Sequence, residues 1–224
     1  MRPEILQPLL LSLQVALCAT ALVVLAGVPL AFALARWRSR FNPVADALLT
    51  LPLVLPPTVL GYYLLVLLGR EGIIGRWLDA FGIRLVFTWQ GAVIAAAVAA
   101  FPLLLKAART AFEGVDPRLE DAAHVLGLSP IAVFMRVSLP LASPGIAAGA
   151  LLTFARALGE FGATLMLAGN LPGRTQTLSV AIYAAIEAGD EAGAAVLVAI
   201  ASVTCVLALL LATRLLRPPA RRAA

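Results

Sequence analysis

Residues 116–140, DPRLEDAAHVLGLSPIAVFMRVSLP, form the longest polar-rich segment in an otherwise very apolar chain. The segment predicts two short helices with clear ends. Asp116 is a favourable N-cap for the first helix, and Pro117 suits the first helical position, where a missing N–H does no harm. Gly127 suits the left-handed conformation that commonly stops a helix.

Ser129 and Pro130 repeat the cap-and-proline signal for a second short helix, and Pro140 is expected to end it. The first helix is amphipathic, because four of its residues recur at the i, i+3, i+4, i+7 spacing of one helix face. These four residues are Leu119, Ala122, Ala123 and Leu126. A small amphipathic helix between apolar segments indicates a docking element for a soluble partner. The alternative is a solvated connector without a partner.

Long uncharged runs surround this segment. The 224-residue chain is 62% hydrophobic and 13% charged, which is less charge than ordinary soluble domains carry. Five runs are near or above the roughly 18–20 residues that cross the hydrocarbon core of a membrane. We therefore predict an all-α membrane protein, a single transmembrane domain over residues 1–224. Its spans are predicted at 9–35, 45–69, 86–107, 141–168 and 192–216, and an outer-face segment leaves a sixth open.

The basic residues predict the orientation of these spans. With the turn after the first span, the loop 113–140 and the C-terminus on one side, that side holds eleven Lys and Arg residues and the other holds five. Cytoplasmic loops carry the excess of positive charge. The N-terminus is therefore predicted outside and the C-terminus inside, with the loop 113–140 in the cytoplasm.

Several function classes lack the residues that they need. The sequence contains no GxxxxGK[ST] phosphate-binding loop, so we expect the ATPase to be a separate subunit. Its one histidine, His124, excludes a histidine-rich metal centre and makes a Ser/His/Asp hydrolase hard to build. The net charge of +5 is concentrated beside the spans, as the positive-inside rule requires, and does not indicate nucleic acid. We predict that the chain is not an enzyme and binds no cofactor of its own.

The spacing within 116–140 resembles the EAA loop of ABC-importer permeases, whose consensus is E-A-A-x3-G-x9-I-x-L-P. Here Asp stands in place of Glu and Val in place of Ile, and both exchanges keep the chemistry. The resemblance implies a cytoplasmic loop whose helix sits in a cleft of the ATPase subunit. The residues implied to couple to the ATPase are Glu120, Asp121, Ala122, Ala123, Gly127, Leu139 and Pro140.

The second span contains three prolines within six positions, which cannot lie in a straight helix. Such breaks are tolerated at membrane depth where protein or an aqueous cavity satisfies the freed carbonyls. The pattern favours a kinked helix that lines a transport pathway and helps to form a gate. The alternative is a packed kink without a transport role. The candidate gate residues are Pro52, Pro56, Pro57 and Thr58.

Arg156 and Glu160 are ionisable residues inside the fourth span. Four residues apart, they can share a helix face and pair. Ionisable residues in spans usually face the interior of the bundle and mark function. One interpretation places Arg156 beside the permeation path or a subunit interface. The other is a self-neutralising pair that locks helix packing, and the pair alone does not identify a cargo.

A narrower resemblance bears on the cargo. The run FARALGEFGAT at 154–164 resembles permeases for tetrahedral oxyanions, and GNLPGRTQTL at 169–178 and LPLVLPPTVLGYYLL at 51–65 resemble the molybdate branch. This implies a type I ABC importer permease in the bacterial inner membrane. It also implies a homodimer with two cytoplasmic ATPase subunits that use ATP and Mg²⁺, and a periplasmic oxyanion-binding protein. Tungstate stays open, as does a sulfate or thiosulfate permease. A lipid-modifying membrane enzyme and a structural membrane protein are the alternatives from other classes.

Overall fold

The computed structural model describes residues 3–36 and 42–215, and the regular structure in those ranges is helical. The four long helices are α1 (Pro3–Arg36), α5 (Trp89–Glu113), α8 (Leu139–Leu158) and α11 (Glu191–Leu215). The shorter helices are α2 (Asn42–Val54), α3 (Pro57–Leu68), α4 (Ile73–Asp79), α6 (Pro117–Val125), α7 (Pro130–Val133), α9 (Gly162–Ala168) and α10 (Leu178–Glu187). A π segment, Phe134–Ser138, joins α7 to α8.

Helix α5 is the centre of the bundle and packs between α1 and α8. Small residues let these helices approach closely. A Cβ atom on Gly145 would lie 2.5 Å from the Ala111 Cβ, and one on Gly149 would lie 2.8 Å from the Ala107 Cβ. Small residues are the usual means of close helix packing in membranes, where no hydrophobic effect drives helices together. The small residues of α5 and α8 therefore allow the backbones of these two helices to lie close together.

The second predicted span, 45–69, is two helices rather than one kinked helix. The chain bends by 111° between α2 and α3. Pro56 lies between them with an extended backbone (φ −53°, ψ 136°), and Pro57 opens α3. A residue that precedes proline is pushed out of the α conformation, so two consecutive prolines end α2 and start α3. The predicted break is present and is sharper than a kink.

The fourth predicted span, 141–168, is also not one helix. Helix α7, the π segment and α8 form a continuous helix, Pro130–Leu158, and the chain breaks before α9. Pro140 therefore does not end a helix, as the sequence predicted, but lies in the first turn of α8. The Leu139 N–H donates to the Phe134 carbonyl, five residues back. This wider π turn precedes the proline, and the chain stays helical past a residue that normally disrupts a helix interior.

The helices account for four or five membrane spans among the described residues. Four are long and apolar enough to cross a membrane, and the bent pair of α2 and α3 makes a fifth if it counts as one span. The outer-face segment forms α10, whose ten residues are fewer than the roughly 20 that a span needs. Helices α1, α5 and α11 correspond to the predicted spans 9–35, 86–107 and 192–216. Residues outside the described ranges include Leu216 and the basic residues Arg2, Arg38, Arg40, Arg217, Arg221 and Arg222.

Candidate coupling surface and membrane cavity

The predicted caps of the two loop helices are present. The Asp116 carboxylate accepts from the Arg118 N–H at 2.9 Å, and the Ser129 hydroxyl accepts from the Ala132 N–H at 3.3 Å. Gly127 adopts the left-handed conformation at φ +85°. The hydrogen bonds of Asp116 and Ser129 satisfy backbone N–H groups that a helix start leaves without partners. Local sequence punctuation thus sets where α6 and α7 begin and where α6 stops.

Helix α6 presents most of its surface to the surroundings. Of its nine residues only Ala123 is buried, while Asp121 and Ala122 are exposed. Three large apolar side chains lie open nearby: Val125 and Leu126 at the end of α6 and Ile131 in α7, with exposed fractions of 88%, 79% and 77%. We call these three residues the apolar patch. Exposed large apolar side chains at the end of a short amphipathic helix and at the start of the helix that follows it indicate an interaction surface.

Glu120 ties α6 to the rest of the protein. Arg36, the last residue of α1, donates from Nε to Glu120 Oε2 at 2.8 Å and from Nη2 to Oε1 at 2.6 Å. Ser138, fully buried in the π segment, donates from Oγ to Oε1 at 2.7 Å. We call these three residues the Glu120 junction. Burial raises the pKa of the Glu120 carboxyl, but the hydrogen bonds from Arg36 and Ser138 and the charges of Arg36 and His124 outweigh it and lower the pKa.

An aromatic cluster lies beside this junction. The rings of Phe32 in α1 and Phe112 in α5 lie 5.2 Å apart, and Phe32 and Phe134 of the π segment lie 4.8 Å apart. The Arg36 guanidinium carbon lies 5.8 Å from the centre of the Phe32 ring, within reach of a cation–π interaction. Three helical elements therefore fix the cation that holds Glu120.

More ion pairs lie near the same end of α5. Asp46 of α2 contacts Lys106 at 3.1 Å and Arg109 at 3.3 Å, and Arg109 also contacts Glu113 at 2.8 Å. Lys106 and Arg109 lie at the end of the third predicted span, 86–107. Their ion pairs join this end to the beginning of α2.

The two helix breaks face one another. A cavity of about 250 Å³ lies between them, and we call it the break cavity. Its lining includes the predicted candidates Pro57, Thr58, Arg156 and Glu160, together with Gly159, Phe161 and Gly162. Four of the six candidate gate and pathway residues are thus brought together, although they lie about 100 positions apart in sequence.

Arg156 and Glu160 pair across a break rather than along one helix. Helix α8 ends at Leu158, and Glu160 lies in the segment that leads to α9. Arg156 Nη1 lies 2.6 Å from Glu160 Oε2 as an ion-pair contact, and Glu160 Oε1 accepts from the Ala163 N–H at 2.9 Å. The cation thus lies in the last turn of α8 and the carboxylate at the start of α9, where the helix dipoles favour each charge. Only 1% of the Glu160 side chain is exposed, against 32% for Arg156.

Two candidate gate residues lie elsewhere. Pro52 lines a separate apolar cavity of about 460 Å³ with residues of α1 and α5, among them Leu22 and Phe101. Pro56 is exposed between α2 and α3 and does not line the break cavity. The three prolines shape the bend of the second span together, but they do not share one site.

The close approach of α3 to α9 was not predicted from the sequence. A Cβ atom on Gly162 would lie 2.7 Å from the Pro57 Cβ, and one on Gly61 would lie 2.7 Å from the Met166 Cβ. Glycine in a span is the signal that could have indicated this contact. The sequence likewise assigned no partner to Glu120, and the identity of Arg36 and Ser138 could not be read from spacing.

Comparison with known proteins gives the family. The sequence profile of the family described as "Binding-protein-dependent transport system inner membrane component" matches residues 24–222. The chain belongs to this family. It is accordingly a multi-pass protein of the inner membrane and a transporter subunit, and not an enzyme.

Individual relatives agree with this assignment. The chain is 47% identical to the molybdenum transport system permease protein ModB of Escherichia coli (strain K12), over 97% of this chain and 96% of that protein. It is 37% identical to the sulfate transport system permease protein CysT of the same strain, over 83% of this chain and 66% of that protein. An inward-facing structure of the MetNI methionine ABC transporter shares the fold, with a TM-score of 0.77, 17% identity and coverage of 97% of this chain and 98% of that chain. The predicted all-helical permease fold is confirmed at this level.

Proposed function

We propose that this chain forms the pathway through which molybdate, and the similar oxyanion tungstate, enters the cell in an ATP-driven importer. The observation that supports the cargo is the 47% identity to a molybdenum permease over nearly the full length of both chains. The match to a sulfate permease is weaker and covers less of that protein. Sulfate or thiosulfate is therefore the second candidate cargo.

The proposed assembly is a homodimer with two cytoplasmic ATPase subunits and a periplasmic oxyanion-binding protein. Each chain carries one loop of the EAA type, and a pair of ATPases that close around nucleotide needs two such loops. ATP and Mg²⁺ are used by the ATPase partners. ATP-driven closure would favour an outward-facing state through contacts that differ between the two states.

The proposed docking surface is α6 with its stop. Asp121, Ala122 and Ala123 would lie in the cleft of the ATPase, and Gly127 would turn the chain away from it. The apolar patch supports this role, because exposed apolar side chains gain most from a partner that covers them. Leu139 and Pro140 would act from the first turn of α8, behind the docking helix.

The break cavity is the proposed part of the permeation path. Its lining combines a partly exposed cation, Arg156, with the ends of broken helices, and such breaks usually line a cavity in membrane proteins. Glu160 cancels much of the positive charge, so the cavity would pass an oxyanion rather than hold it tightly.

The proposed orientation places the N-terminus outside and the C-terminus inside. A reporter that is active only in the cytoplasm should work when it is inserted between residues 113 and 130 or fused after Arg222. It should fail near Gly72 or Gly173. The reverse pattern would move the loop away from its proposed ATPase partner.

Transport into proteoliposomes tests the proposal. The chain, its ATPase and its binding protein would be purified and reconstituted, and uptake of radiolabelled molybdate, tungstate and sulfate would be compared. ATP-dependent uptake of molybdate that excess sulfate does not inhibit is the expected result. Preferential uptake of sulfate would replace the proposed cargo with the second candidate.

A further inference from the structure

The Glu120 junction lies where three parts of the protein meet: the end of α1, the exposed helix α6 and the π segment that leads into α8. Helix α6 has little else to hold it, because Ala123 is its one buried residue. The carboxylate of Glu120 receives three hydrogen bonds of 2.6–2.8 Å from the other two parts. Hydrogen bonds to an ionised group are shorter and stronger than neutral ones.

The donors of these bonds are themselves held in place. Arg36 binds both oxygens of the carboxylate and lies over the Phe32 ring. A two-pronged contact of this kind fixes direction as well as distance. Phe32 in turn packs against Phe134 of the π segment, so the ring cluster and the ionic contact connect the same two elements.

The π segment also directs a side chain to α6. A π turn holds one residue more than an α turn, which changes the facing of Ser138 relative to α7 by up to about 100°. Ser138 is fully buried, and its hydroxyl is directed to Glu120. The irregular helical turn thus lies where the helix Pro130–Leu158 contacts α6.

We propose that Glu120 is the positioning residue that transmits displacement of α6 to α1 and to the helix Pro130–Leu158. The inference rests on the proposed function, because the displacing force comes from the ATPase. Through its three bonds, Glu120 keeps α6 at a fixed position relative to both membrane helices. Without the carboxylate, α6 still docks on the ATPase, but its movement is no longer passed on. ATP is then hydrolysed with little uptake.

The experiment measures molybdate uptake and ATP hydrolysis together in the reconstituted transporter. In Glu120→Gln and Arg36→Gln, the ATPase should remain bound and active, while uptake per ATP hydrolysed should fall about tenfold, as expected for lost charged hydrogen bonds. The double variant should be no worse than either single variant, because both remove the same contact. The exchange variant Arg36→Glu with Glu120→Arg should recover part of the ratio.

Glu113→Gln is the matched control. It removes an ion pair with Arg109 near the same end of α5, but that pair lies within one helix, so the ratio should stay unchanged.

An unchanged ratio in Glu120→Gln would overturn the proposal, and so would loss of ATPase binding, which would make Glu120 a docking contact. If Glu120→Gln does not assemble, Ser138→Ala decides: it removes one hydrogen bond and should lower the ratio about threefold. No change there also overturns the proposal. The wild-type cargo comparison tests the proposed function separately, since the ratio can be measured with whichever oxyanion is carried.

Discussion

Two arginine–glutamate pairs in this protein have the same shortest distance, 2.6 Å, and different settings. Arg36 and Glu120 are 84 positions apart and join a membrane helix to an exposed helix outside the spans. Arg156 and Glu160 are four positions apart and lie beside a break within the bundle. The first pair fixes how two elements sit relative to each other. The second compensates charge at the adjoining ends of two helices. Similar geometry therefore serves positioning in one place and local compensation in the other.

The largest effect is expected from separating the second pair. Arg156→Ala leaves the buried Glu160 carboxylate without compensation and should reduce the free energy of unfolding by about 3 kcal/mol, whereas Glu160→Ala leaves the partly exposed Arg156 and should reduce it by less. The double variant should lose less than the sum of the two. Thermal unfolding of purified protein in detergent measures all three. Strict additivity would show that the two side chains do not interact.

An ion pair with the same spacing provides the control. Arg109 and Glu113 are also four residues apart, but 47% of the Glu113 side chain is exposed. Glu113→Ala should cost less than about 0.5 kcal/mol. If the Glu113 variant were as unstable as the Glu160 variant, the setting of the pair would not be the cause.

The next effect tests the close approach that builds the break cavity. Gly162→Ala places a Cβ atom 2.7 Å from the Pro57 Cβ, and the overpacking should cost about 1–3 kcal/mol. Gly159→Ala, in the same break, meets its nearest atom at an ordinary 3.8 Å and should be nearly neutral. Thermal unfolding of both variants provides the measurement. Equal stability of the two would mean that α3 can move away from α9 at little cost.

A smaller effect is expected at the stop of α6. Gly127 has φ +85° and open space around its Cα, so Gly127→Ala introduces backbone strain without a clash, about 1–2 kcal/mol. The control is Gly114→Ala, where φ is −78° and the nearest atom is 3.5 Å from the new Cβ. Binding of the ATPase to the purified permease should weaken in the first variant only. Equal binding by both would remove Gly127 from the docking surface.

The smallest effect concerns pH and the first pair. The pKa of Glu120 is lower in the folded protein than its ordinary value of 4.5. Its ionised form therefore stabilises the fold fully above that ordinary value, and the contribution is lost as pH falls through the lowered pKa. The difference in thermal midpoint between wild type and Glu120→Gln should be largest near neutral pH and shrink in acid. A difference that is constant with pH would exclude ionisation as its source.

Features that a few neighbouring residues determine were predicted correctly from the sequence, and the π segment was not. Caps, the left-handed glycine and the proline break depend on a few neighbouring residues, so the sequence predicted them at Asp116, Ser129, Gly127 and Pro56. The π segment was missed, because the sequence indicates that a helix should end at Pro140 and gives no sign that a wider turn precedes that proline.

Contacts between distant elements could not be read from one sequence. Nothing near Glu120 names Arg36 as its partner, and nothing near Gly162 names Pro57 as its neighbour. Such pairs depend on the packing of whole helices, which is set by many weak contacts rather than by a local signal. The predicted gate residues Pro57 and Thr58 were grouped with Arg156 and Glu160 by expected function, and the structure supplied the cavity that joins them.

Val125, Leu126 and Ile131 are exposed in the single chain, and the proposed contact with the ATPase would cover them. A permease made in excess of its ATPase would therefore display a surface that chaperones and proteases recognise. We expect balanced synthesis of the two subunits to set the lifetime of the permease in the cell. In a pulse-chase measurement, the chain should be degraded faster when the ATPase gene is deleted, and replacing Leu126 with serine should lengthen the half-life of the orphaned chain.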